Sequence, residues 1–124
     1  MVLRYFGIRV TDLDRSVKFY TELLGLKIVR KGKMHHGGLW VMLQDSRSRQ
    51  RLELNWYPPD SPYRVPYVPG EGLDHIGFKV SDARSAYKNL LAKGVSSALA
   101  PDDKDGVKGI YYVTDPDGNW IEFF

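Results

Sequence analysis

His75, Glu53 and Glu122 are the side chains of this chain best suited to hold a cation or move a proton, and they sit at matched places in a sequence that repeats itself. Tyr5-Phe-Gly-Ile-Arg-Val-Thr-Asp12 aligns with His75-Ile-Gly-Phe-Lys-Val-Ser-Asp82 at an offset of 70 residues. Leu52-Glu-Leu54 aligns with Ile121-Glu-Phe123, and Gly25 with Gly94, at an offset of 69. A duplicated chain can bring corresponding positions to one point through a pseudo-twofold axis. Tyr5, Glu53, His75 and Glu122 then form a candidate metal site.

Each member has more than one chemistry. Imidazole is a versatile ligand for divalent metals, and one histidine with two carboxylates suits Zn, Ni, Co, Mn or Fe(II). A histidine on a strand can equally be a structural residue. Glu53 and Glu122 can both be permanent ligands, or one can act as general base for a proton next to a carbonyl while the metal polarises the oxygen. The plainer alternative for Glu53 is an ion pair with Arg9 or Arg51. Tyr5 has three roles open to it: ligand, hydrogen-bond donor to a substrate oxygen or bound water, or filler of a lost ligand's space.

Hydrophobic periodicity gives the strands and helices on which these groups sit. Phe6, Ile8 and Val10 alternate with Tyr5, Gly7 and Arg9, as in a half-buried strand. Asp12 is placed to cap a helix whose apolar stripe runs through Leu13, Val17, Tyr20 and Leu24 and stops at Gly25. Strands are expected near 26–32, 38–44 and 51–57. Module one thus spans 1–57, and the proline-rich stretch 58–72 is a stiff linker. Module two, 73–124, repeats the plan. It has a strand over 73–80, a helix after the Asp82 cap ending at Gly94, and strands near 95–100, 109–114 and 119–124. The expected fold class is α+β, two tandem βαβββ modules forming a curled sheet around a shared cavity.

Alternation then separates two faces. Phe6/Ile8/Val10, Leu52/Leu54, Ile76/Phe78/Val80 and Ile121/Phe123 should face the helices. Tyr5/Arg9, Arg51/Glu53/Asn55, His75/Lys79 and Trp120/Glu122 share the opposite faces. Arg9, Asn55, Tyr57 and Lys79 are therefore the candidate substrate-binding residues: Arg9 and Lys79 for a carboxylate, Asn55 for a substrate oxygen, Tyr57 for the wall. Tyr63 and Tyr67 on the linker are candidate lid residues. His35 and His36, beside Gly37-Gly38, belong in a surface turn.

Composition narrows the function classes. A chain of 124 residues with 43% apolar and 27% charged residues is that of one ordinary globular domain. The absence of cysteine excludes disulfides and thiolate chemistry. Net charge is +3, with basic residues scattered, so nucleic acid is not an expected partner. No apolar run approaches membrane-spanning length, and no signal-like segment opens the sequence, so a cytoplasmic location is expected. Open sheet edges suggest a homodimer.

Nearly the whole chain resembles the vicinal oxygen chelate superfamily, which includes glyoxalase I, extradiol dioxygenases and the bleomycin resistance proteins. The resemblance is carried by Ile8-Arg-Val-Thr-Asp-Leu-Asp-Arg-Ser16, Phe19-Tyr20, Leu24-Gly25, Leu52-Glu-Leu54, Asp74-His-Ile-Gly77 and Asp115-Pro-Asp-Gly-Asn-Trp-Ile-Glu122. It implies metal ligands at His75, Glu122 and Glu53. The remaining ligand position falls on Tyr5, where most members have His and some glyoxalases Gln. It also implies that Arg9 takes part in substrate binding. The function it implies is a metal-dependent lyase or isomerase of the glyoxalase I type. The substrate would be a small α-oxo or α-hydroxy carbonyl compound or its thiol adduct, with an enediolate and a glutamate that moves the proton. A metal-free, bleomycin-resistance-like binding protein and a non-haem iron dioxygenase are the alternatives on the same scaffold. The shared cavity can form within one chain or between two.

Overall fold

The computed structural model describes residues 4–71, 73, 75–99 and 109–124. Gly72 of the linker, Asp74 of the sequence motif and Ala100 of the expected strand lie outside these. The chain divides into two compact units, Met1–Tyr67 and Val68–Phe124. Each is a βαβββ module, and the fold is α+β.

In the first unit, β1 (Phe6–Arg9) leads into α1 (Leu13–Lys18) and a π-helical turn (Phe19–Leu23), then β2 (Lys27–Lys33), β3 (Leu39–Gln44) and β4 (Arg51–Trp56). The strands lie in the order β1-β4-β3-β2. β1 runs parallel to β4, and the other pairs are antiparallel. Asp12 caps α1 by accepting the Arg15 N–H at 3.0 Å.

The helix does not stay α-helical up to Gly25. Leu24 N–H bonds back to the Phe19 carbonyl and Leu26 N–H to that of Tyr20, each one residue further than an α-helical ending requires. The second unit shows the regular ending, where Val95 N–H reaches Leu90 and Gly94 N–H reaches Leu91. The sequence explains the difference. Asp12 to Gly25 is one residue longer than Asp82 to Gly94, and the π turn takes up that residue.

The second unit contains β5 (His75–Phe78), α2 (Ala83–Ala92), β6 (Ser97–Leu99), β7 (Tyr111–Thr114) and β8 (Trp120–Phe123), in the order β5-β8-β7-β6. β5 is parallel to β8. Asp82 caps α2 through the Ser85 N–H at 3.0 Å and also accepts the Ser85 hydroxyl at 2.7 Å. These bonds, the backbone one foremost, hold its carboxyl below the ordinary aspartate value.

The cores obey the alternation. Leu52 and Leu54 of β4 face Leu43 and Val41 of β3, and all four are buried. In the second unit Ile121 and Phe123 stand opposite Val113 and Tyr111, under Tyr87 and Leu90 of α2. One expected core position differs: Phe6 is 63% exposed. β1 is an edge strand, and α1 packs over β4, so the helix does not cover the start of β1. Among the described residues no helix is long and apolar enough to cross a membrane.

Candidate functional site

Strand register places the candidate residues. In the second unit Glu122 of β8 lies between Gly77 of β5 and Tyr112 of β7. Residues directly opposite share a face. His75 pairs with Trp120 and is therefore the diagonal neighbour of Glu122. The side chains meet: His75 Nε2 is 3.2 Å from Glu122 Oε2. Tyr112 donates its hydroxyl to Glu122 Oε1 at 3.0 Å. The Tyr112 ring stands edge-on to His75, with centroids 5.9 Å apart, and leans on Trp120 at 5.6 Å. The Glu122 side chain is mostly covered (14% exposed), whereas that of His75 is more open (36%).

The first unit carries the equivalent row. Glu53 of β4 lies between Gly7 of β1 and Met42 of β3. Met42 cannot donate a hydrogen bond. Instead Asn55, two residues along the same strand, gives its amide to Glu53 Oε1 at 3.1 Å. Asn55 thus shares the glutamate's face and donates to it through its amide nitrogen. Among the described residues Glu53 forms no ion pair with Arg9 or Arg51. Tyr5 immediately precedes β1 and is 46% exposed. Within neither unit do three His, Asp or Glu side chains cluster among the described residues.

The next row along the first sheet contains Gly32, Trp40, Asn55 and Arg9. Trp40 lies flat over Gly32, and the Arg30 guanidinium is 5.8 Å from its ring centre. Arg9 opens a cavity of about 330 Å³ at the ends of β1 and β4. Trp56, Tyr57 and Tyr67 supply aromatic walls, and Arg64 of the segment after β4 supplies a second guanidinium. Arg64 also donates to the Tyr57 carbonyl at 3.4 Å. Among the described residues neither arginine forms an ion pair. Lys79 comes directly after β5 and is exposed.

The segment after β4 is built rather than loose. Ser61 N–H bonds to the Pro58 carbonyl and Arg64 N–H to that of Ser61, with Ser61 buried. Tyr63 does not line the cavity. Its ring and that of Tyr57 pack on His36, at centroid distances of 4.5 and 5.7 Å. The hairpin turn carrying His35 and His36 is therefore partly covered.

Sequence reasoning missed Tyr112 and Arg64. Tyr112 could have been found by counting back from the Asp115–Gly118 turn. Thr114 pairs with Trp120 there, so Tyr112 must face Glu122. Arg64 carries no periodic signal.

Residues 2–123 match the Glyoxalase/Bleomycin resistance protein/Dioxygenase superfamily, and the chain belongs to that family. It is similar to a lactoylglutathione lyase of Haemophilus influenzae, 32% identical over 130 residues, covering 99% of this chain and 91% of the relative. It is also similar to a lactoylglutathione lyase of Schizosaccharomyces pombe, 31% identical over 144 residues. That match covers 97% of this chain but 46% of the relative, so the chain spans less than half of that longer protein. Among solved structures, the trypanothione-dependent glyoxalase I of Leishmania major superposes with a TM-score of 0.76 at 31% identity, covering 100% of this chain and 86% of the other.

Proposed function

We propose that this protein is a metal-dependent isomerase of the glyoxalase I type. Its substrate would be the adduct of a thiol with a small α-oxo aldehyde, and its product a 2-hydroxyacyl thioester such as the lactoylglutathione in the relatives' names. One observation carries this reading: His75 Nε2 and Glu122 Oε2 are 3.2 Å apart on one sheet face. Two ligands each about 2.1 Å from a metal, at angles between octahedral and tetrahedral, stand roughly 3.0–3.4 Å apart. The donor set is nitrogen and oxygen without thiolate, which fits Zn, Ni, Co, Mn or Fe. His75 and Glu122 would hold the ion. Glu53 and Tyr5, the matched positions of the first module, are proposed as further members because of the duplication. A bound divalent cation supplies Lewis acidity toward the substrate oxygens.

The chain's own residues do the rest. The reaction moves a proton between adjacent carbons and needs no oxidant. A glutamate of the pair Glu53 and Glu122 takes the proton from the hydroxyl-bearing carbon and returns it to its neighbour. Arg9 and Arg64, which share the cavity at the ends of β1 and β4, would bind an anionic group of the substrate. Aromatic side chains beside them cover its apolar part. Lys79 is a further candidate for a substrate carboxylate.

The test is metal content and turnover together. Protein stripped with a chelator and reloaded should bind one divalent ion and isomerise a thiol–oxoaldehyde adduct. His75→Ala and Glu122→Gln should lose both. Stoichiometric binding of a small aromatic anion with no metal under any loading would instead favour the binding-protein alternative. Oxygen uptake with catechols would favour a dioxygenase.

A further inference from the structure

We infer that Tyr112 is a positioning residue that fixes Glu122 as a one-oxygen ligand. This rests on the proposed metal role of His75 and Glu122. A carboxylate has two oxygens and about four lone-pair directions, so an unrestrained glutamate can turn either oxygen, or both, toward a cation. Here the two oxygens have different neighbours. Oε1 takes the Tyr112 hydroxyl at 3.0 Å. Oε2 is the atom near His75, at 3.2 Å. The donor is itself held, because the Tyr112 ring packs against both His75 and Trp120. Its place on β7 directly across from Glu122 fixes the distance by register.

The first module solves the same problem differently. Met42 stands where Tyr112 stands in the second, and the Asn55 amide takes Oε1 of Glu53 at 3.1 Å. Each glutamate thus has one oxygen held by a neutral donor. The recurrence with unrelated side chains points to a requirement on the carboxylate rather than an inherited packing detail. Partners that orient a ligand typically contribute about 10–100-fold in metal affinity.

The experiment compares Zn²⁺ affinity, by competition with a chromogenic chelator, for wild type, Tyr112→Phe, Tyr112→Gln, His75→Ala and Glu122→Gln, with thermal unfolding of each metal-free protein. Tyr112→Phe keeps the ring contacts and should stay folded, its metal-free melting temperature lowered by no more than the loss of one hydrogen bond to a mostly covered carboxylate, while weakening Zn²⁺ about 10–100-fold. Tyr112→Gln restores a side-chain donor of the kind Asn55 supplies and should bind Zn²⁺ more tightly than Tyr112→Phe. Wild-type affinity in Tyr112→Phe would overturn the positioning role while leaving the metal site standing. So would a Tyr112→Gln protein, folded like wild type, that binds no better than Tyr112→Phe. Undiminished Zn²⁺ binding by His75→Ala and Glu122→Gln would overturn the metal site itself.

Discussion

Gly77 lies directly across the parallel β5–β8 pair from Glu122, and a methyl group at that position would stand 3.3 Å from Glu122 Oε2. The first unit repeats the arrangement, with Gly7 opposite Glu53 and a methyl there 3.2 Å from the Asn55 amide nitrogen. In both modules the strand beside the glutamate has no side chain at the level of the carboxylate. Gly77→Ala should therefore displace the carboxylate while stiffening the unfolded chain, which favours folding by about 0.4–1 kcal/mol. A methyl there would also stand 3.3 Å from Phe124 Cε1, and that crowding offsets the gain, so the expected result is a metal-free melting temperature close to wild type together with weaker Zn²⁺ binding. Calorimetry and chelator competition measure the two. Unchanged affinity would show that the carboxylate does not need this space.

Gly32 supports Trp40 in a different sense. A methyl at Gly32 would fall 2.8 Å from three atoms of the indole, so the ring must move. Gly32→Ala should destabilise the protein by about 1–3 kcal/mol, as overpacking does. Denaturant unfolding reads the loss, and tryptophan fluorescence should report a changed Trp40 environment.

The cavity at the ends of β1 and β4 predicts a charge requirement. Removing Arg9 or Arg64 should raise KM for a carboxylate-bearing substrate by about 10–100-fold, the equivalent of a lost charge-assisted hydrogen bond of roughly 1.5–3 kcal/mol. Turnover at saturation should change little, because such contacts form before the transition state. In wild type KM should rise with salt, and this dependence should weaken in either variant. Equal KM values for anionic and neutral substrates would refute the anion subsite.

Asp82 predicts an acid branch in the stability profile. Its folded-state carboxyl lies below the ordinary value, chiefly through the Ser85 backbone bond. The stabilisation is present in full above the unfolded aspartate value near pH ~3.9 and is lost as pH falls through the lower folded value. Asp82→Asn keeps a capping oxygen but cannot titrate. Melting temperatures measured downward from about pH 6 should fall less steeply below pH ~4 in this variant. Parallel slopes for the two proteins would count against the cap as a source of acid sensitivity.

Much of this arrangement is legible in the residues themselves. The alternation in Phe6–Val10 and the matched Leu52-Glu-Leu54 and Ile121-Glu-Phe123 segments put the glutamates on the faces turned away from the core. The change of offset from 70 to 69 marks the extra residue between Asp12 and Gly25. How a helix accommodates it depends on backbone bonding that composition does not encode. Phe6 departs from expectation because alternation says which way a side chain points, not whether anything covers it. The bond between Asn55 and Glu53 is hidden for a similar reason, since alternation places the two on one face without saying which hydrogen bonds they make. Arg64 reaches the cavity through the Ser61 turn, a non-periodic path with no pattern to read.

The π turn at Phe19–Leu23 has a consequence for how the doubled gene could drift apart. An added codon in a strand would invert every later side chain up to the next turn, and in an α-helix it would rotate all later residues by about 100°. Here the surplus is absorbed within one widened coil, so Tyr20 and Leu26 are still buried and β2 begins on schedule. The widened coil works as an expansion joint: the halves could accumulate unequal lengths while the glutamate-bearing strands kept their settings.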